Sequence, residues 1–298
     1  MLIPQRAFSG LALAASRNTN RNEMKTKIII LVLLISTLNS CKKEANLKIK
    51  STNTFLKSSL QENEIELNNI YKKINDARLG SDTINWKALE TENNKFENKI
   101  LKNLSGNPQS IIYPFDSLKN NNINIVSSKD KLLRIYSWNT WKGGTMYDFV
   151  NLFQYKSNGK VFTKIIKDTV TDGEGEYTPF YSQIFTLKNK KDTYYLCVYN
   201  GIYSSKDASQ SIKILKIDNN KLEDVKLIKT ENGLTNSIDL YFDFFSVVDR
   251  PERPLKLIKY DHEKKEIYIP ILTEKEEVTN RFQIYNFNGE FFEPQIIN

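Results

Sequence analysis

The sequence predicts a mainly β protein: an antiparallel meander of hairpins, barrel-like or sandwich-like, preceded by an α-helical hairpin. Three observations carry this. Apolar residues between 56 and 100 recur at helical steps. From about Ile123 onward Tyr, Phe, Ile, Val and Thr dominate, and apolar and polar residues alternate. Five stretches in that second part share one shape, an apolar run, a polar turn and a second apolar run.

The helical part reads from its stripes. Leu56, Leu60, Leu67, Ile70 and Ile74 fall on one face of a first helix. Arg78-Leu79-Gly80 supplies a basic last turn and a glycine stop. Ser81-Asp82 offers a cap for a second helix, whose stripe is Trp86, Leu89, Phe96 and Ile100. Gly106-Asn107-Pro108 ends it. A tight turn between two amphipathic helices gives an antiparallel pair. Neither helix holds three or four heptads, which argues against a coiled-coil stalk.

The β part begins with Arg134-Ile135-Tyr136-Ser137-Trp138 and continues through hairpin units at 153–162, 184–196, 214–222, 257–269 and 284–292. Asn and Gly in the turns tolerate the positive φ that tight hairpins demand. The turns lie near residues 158, 189, 219, 263 and 288. Their spacing is uneven, whereas propeller blades repeat at a steady ~40–50 residues. A propeller-like body is therefore the runner-up. The resulting map is a helical hairpin at 53–106 and an antiparallel β domain at 107–298.

The N-terminal region has its own logic. Met24-Lys25-Thr26-Lys27 is a short basic start, residues 28–35 are apolar, and residues 36–40 are small or polar up to Cys41. That order is the order of a secretory signal peptide. The apolar run is far shorter than the ~20 residues of a spanning helix. Leu38-Asn39-Ser40-Cys41 resembles a lipobox, which implies cleavage before Cys41 and a lipid on that cysteine, palmitate included. On this reading residues 24–40 are the signal peptide and 41–52 a lipidated tether. Residues 1–23 are an upstream extension of a chain whose translation starts at Met24. Lys42 stands where an aspartate would imply inner-membrane retention, so the resemblance points to the outer membrane. The run Leu133-Arg-Ile-Tyr-Ser-Trp-Asn-Thr-Trp-Lys-Gly-Gly-Thr-Met146 resembles β-rich lipoproteins of Bacteroidota to which no activity is assigned. That likeness implies an envelope location and no reaction.

Charge and composition narrow the function classes. Residues 1–40 hold five basic groups and one acidic group, which leaves the part from Cys41 on at +4 of the full chain's +8. The excess is scattered, whereas a nucleic-acid binder needs a clustered basic face. Cys197 sits in an apolar strand-like run and reads as a buried, inert thiol. The one histidine, His262, falls in a turn between Asp261 and Glu263. A catalytic triad or a zinc site of the usual kind thus lacks ligands. The acidic loop with Asp168, Asp172, Glu174 and Glu176 is a candidate calcium site, although it breaks the EF-hand pattern at Val170 and Pro179. Trp138, Trp141 and Tyr147, around Gly143-Gly144, are candidate ligand-binding residues. Aromatic rings with one polar edge suit a glycan or a protein partner. The expected function is a membrane-anchored envelope lipoprotein that binds a partner without catalysis. The alternatives are an envelope hydrolase using the 168–176 carboxylates and an inhibitor or immunity-type lipoprotein.

Overall fold

The computed structural model describes residues 59–78, 83–144, 146–166, 170–171 and 176–295. The signal-like segment, Cys41 and the tether lie outside them, as do Leu56, the Gly80 stop and the Ser81-Asp82 cap.

Two helices come first, α1 (59–78) and α2 (Trp86–Leu104). Leu60, Leu67, Tyr71 and Ile74 of α1 are buried against Leu89, Phe96, Ile100 and Leu104 of α2. Asn85 caps α2, its Oδ1 accepting from the Ala88 amide at 3.1 Å, which satisfies one of the amides a helix start leaves over. Trp86, counted on the stripe, sits in the first turn and is exposed. Asn93, which the stripe skips, is buried within it. A short third helix, α3 (Asp116–Asn120), follows. The buried Glu64 carboxylate holds its start, accepting from the Ser117 amide at 2.7 Å and the Tyr113 hydroxyl at 2.9 Å.

The strands then fall into successive meanders. The first sheet is β1 (Asn124–Ser127), β2 (Leu133–Asn139), β3 (Phe149–Ser157) and β4 (Lys160–Ile166), in that order. A two-stranded ribbon, β5 (Val170–Thr171) and β6 (Glu176–Tyr177), links it to the next. The second sheet is β7 (Phe180–Lys188), β8 (Thr193–Ile202), β9 (Asp207–Asp218) and β10 (Lys221–Asp224). The third contains β11 (Ile228–Thr230), β12 (Gly233–Thr235), β14 (Lys259–Asp261), β15 (Glu266–Leu272), β16 (Val278–Phe287) and β17 (Phe292–Pro294). Strand β13 (Ser237–Asp243) returns to the second sheet and pairs along β9. All five expected hairpins form. In two of them, Asn158-Gly159 and Asn219-Asn220, both central residues have positive φ, the condition for a two-residue turn that matches strand twist.

The three sheets stack face to face and close no barrel. Alternation explains why. In β2, Leu133 and Ile135 point to the second sheet while Tyr136 and Trp138 point to the helices. In β8, Tyr195, Cys197 and Tyr199 face the first sheet while Tyr194, Leu196 and Val198 face the third. A strand covered on both faces has nowhere to place a polar side, so all of β8 from Tyr194 to Gly201 is buried. The mainly β, sandwich-like architecture behind a helical hairpin is as the sequence predicts. The helices share a core with the first sheet, however, and form its outer layer. Buried Arg134 ties that layer down, its guanidinium donating to Ser110 O at 3.0 Å, Tyr113 O at 2.5 Å and Ser127 Oγ at 2.7 Å.

Candidate functional site

The loop joining β2 to β3 (140–148) is built by its own short bonds. Asn139 Oδ1 accepts from the Trp141 amide at 2.8 Å, and Thr140 donates its amide to Asp148 O at 2.8 Å. The Asp148 carboxylate accepts from Thr140 Oγ1 at 2.9 Å and from the Thr178 amide at 3.3 Å, so it clamps the loop base to the start of the second meander. The Tyr147 amide donates to Ile202 O at 3.0 Å. Trp141 itself has a φ of +60°. Gly143 is required here, because a Cβ on it would collide with the Met146 carbonyl oxygen.

This loop sends its two tryptophans to different places. Trp138 ends in the helix-side core, fully buried, edge-on to Phe96 at 5.1 Å. Its ring offers no surface to a ligand. Trp141 is half-buried, fixed by its Nε1 donating to Asn75 Oδ1 of α1 at 2.8 Å. Its ring lies 5.9 Å from that of Tyr147, tilted by 60°. Together Trp141 and Tyr147 line an open cleft of about 660 Å³ with Arg78, Ile202, Ala208 and Phe244. Ile202, Ala208 and Phe244 also line a smaller apolar pocket of about 100 Å³ that runs on to Phe180 and Leu255. The two are one groove at one end of the stacked sheets.

A further set of aromatic rings packs past the end of β8. Tyr203 packs 4.2 Å from Tyr177 and 6.0 Å from Tyr241. It can fold back this far because residue 201 is glycine; a Cβ there would lie 2.7 Å from the Tyr203 ring. Phe245, Tyr241 and Val248 are each about half exposed. The Arg253 guanidinium sits 5.5 Å over the Phe244 ring and donates to three backbone carbonyls, among them Val248 O at 2.9 Å. That contact fixes Phe244 at the shared wall of the two pockets.

Of the residues singled out in sequence, Trp141 and Tyr147 come together and Trp138 does not join them. Phe244, Ile202 and Arg78 were not foreseen. The aromatic run Tyr241–Phe245 was the available signal, but only the return of β13 along β9 brings Phe244 to the cleft that the loop lines. In the acidic loop, Asp168, Asp172 and Glu174 lie outside the described residues. Glu176 lies in β6, and its side chain is likewise outside them. Among the described residues no group of three His, Cys, Asp or Glu side chains is placed to hold a metal ion. His262 is exposed in the β14–β15 turn, 6.4 Å from the Tyr260 ring. Cys197 is fully buried between the first and second sheets. No helix among the described residues is long and apolar enough to cross a membrane. No family model, curated protein or solved structure matches the chain.

Proposed function

We propose that the chain is a cell-envelope lipoprotein, held to an outer membrane through Cys41, which binds a protein or peptide partner in its aromatic groove without catalysis. The observation that carries the binding part is the groove itself, lined by Trp141, Tyr147, Ile202 and Phe244, with Phe245 exposed next to Phe244 in the chain. Aromatic residues and arginine are the side chains over-represented at protein interfaces, because they bury much area at little rotamer cost. Such an apolar surface, rimmed by Arg78 and Arg253, is larger than a lone exposed side chain needs explaining. The anchoring part rests on the basic start, apolar run and Cys41 of residues 24–41.

The test is selection from a displayed peptide library against the full-length protein in detergent. The expected result is enrichment of sequences with aromatic or large aliphatic residues. Their affinity should fall tenfold or more, about 1.4 kcal/mol, in Trp141→Ala/Tyr147→Ala. No enrichment, or binding that the double variant leaves unchanged, would contradict the reading. A glycan is the second reading, favoured by the two tilted rings of Trp141 and Tyr147. Retention on a glycan array, with no peptide enriched, would select it.

A further inference from the structure

A second cavity borders the same loop and has the opposite chemistry. It holds about 410 Å³ and is lined by Asn94 and Glu97 of α2, by Thr140, Lys142 and Asp148 of the loop, and by Thr178. Its apolar floor gives a ligand little to stack on, since Trp138 is fully buried and Phe149 almost so. Buried Asn93 fixes its geometry, donating from Nδ2 to Leu89 O at 2.8 Å and to Thr140 O at 2.9 Å, which fastens the loop to the helix.

The charges in this cavity differ in availability. Both Asp148 oxygens are engaged in clamping the loop. Glu97 and Lys142 line the same space from two different elements. Among the described residues neither is held by another side chain, in an ion pair or a hydrogen bond. Asp148 keeps its negative charge, since its donors are a neutral hydroxyl and a neutral amide, so the cavity presents two carboxylates and one ammonium; a simple anion would meet the carboxylates and a simple cation would meet Lys142. These groups suit a ligand that carries both signs a few bonds apart. The Asn94 amide, which can donate and accept, adds to either end.

We infer that this cavity binds a small zwitterion, a free α-amino acid, with its ammonium toward Glu97 and its carboxylate toward Lys142. The site is separate from the aromatic groove and does not depend on the partner proposed for it.

The test is isothermal titration of full-length protein in detergent with each standard α-amino acid at millimolar concentration, with glucose and N-acetylglucosamine as neutral controls. At least one amino acid should bind. Its affinity should fall about tenfold or more in Glu97→Gln and in Lys142→Gln, as the loss of one charge-assisted hydrogen bond requires. Lys142 is exposed and Glu97 half-buried, and neither holds another side chain among the described residues, so melting temperatures should stay at the wild-type value and exclude misfolding. Trp141→Ala/Tyr147→Ala should leave the affinity unchanged, which separates this site from the groove. Absence of binding by every amino acid overturns the inference. So does binding of a neutral sugar instead, or binding that both charge variants leave intact.

Discussion

Trp138 and Trp141 stand three residues apart and meet different environments because the strand ends between them. Trp138 is the last large residue of β2 on the helix side and packs into the core with Phe96, Tyr136 and Leu152. Trp141 follows the strand end, at positive φ, and lies half in the groove wall. Removing each should cost differently. Trp138→Ala deletes a fully buried ring and should lower unfolding stability by ~3–5 kcal/mol in chemical denaturation. Trp141→Ala gives up the bond to Asn75 and part of a ring contact and should cost about 1 kcal/mol. Equal losses would mean that the two rings are not partitioned as described. The apolar and aromatic character of these positions was legible in the sequence. Their partition was not, since it depends on where β2 ends by one or two residues. Asn93 was illegible for a related reason: a polar residue on a core stripe is found only when its partners, Leu89 O and Thr140 O, are known.

At the scale of elements, the hairpins were legible because each is local. The Asn-Gly and Asn-Asn turns announce themselves, and the paired strands lie on either side. Strand β13 was not legible, because three strands separate it from its partner β9 and its own alternation does not name a sheet. That single non-local pairing brings Phe244, just past the end of β13, into the groove wall, which is why this part of the candidate site escaped sequence reasoning. The 140–148 loop is the other determinant. Its shape needs Gly143, so Gly143→Ala should distort the loop and cost ~1–3 kcal/mol, the range for local backbone strain. Binding in the groove should weaken with it, as Trp141 and Tyr147 lose their relative placement. A Gly143→Ala protein with wild-type stability and wild-type peptide affinity would show that the loop tolerates a side chain there.

At the scale of the whole molecule, one layer of helices and three sheets share three cores, and several phenols lie inside them. Burial pushes Tyr136 up to about 12, with nearby Arg134 opposing, and pushes Tyr71 up to about 12, with hydrogen bonding to the Asn139 backbone and the Trp141 side chain opposing. A raised phenol pKa favours the neutral folded form. That contribution is intact below the unfolded value of about 10 and is lost as pH rises through about 12. Alkaline titration should therefore show the last phenolate absorbance appearing together with loss of near-ultraviolet circular dichroism, between about pH 10 and 12. Complete ionisation near pH 10 with the dichroism retained would contradict a core built on these rings. On the proposed function, the same body works while tethered ahead of residue 53. Membrane fractionation of cells making wild-type and Cys41→Ala chains tests the tethered reading most directly. The wild type should travel with the membranes and be released only by detergent, and the Cys41→Ala protein should not. Identical membrane association of the two chains would contradict it.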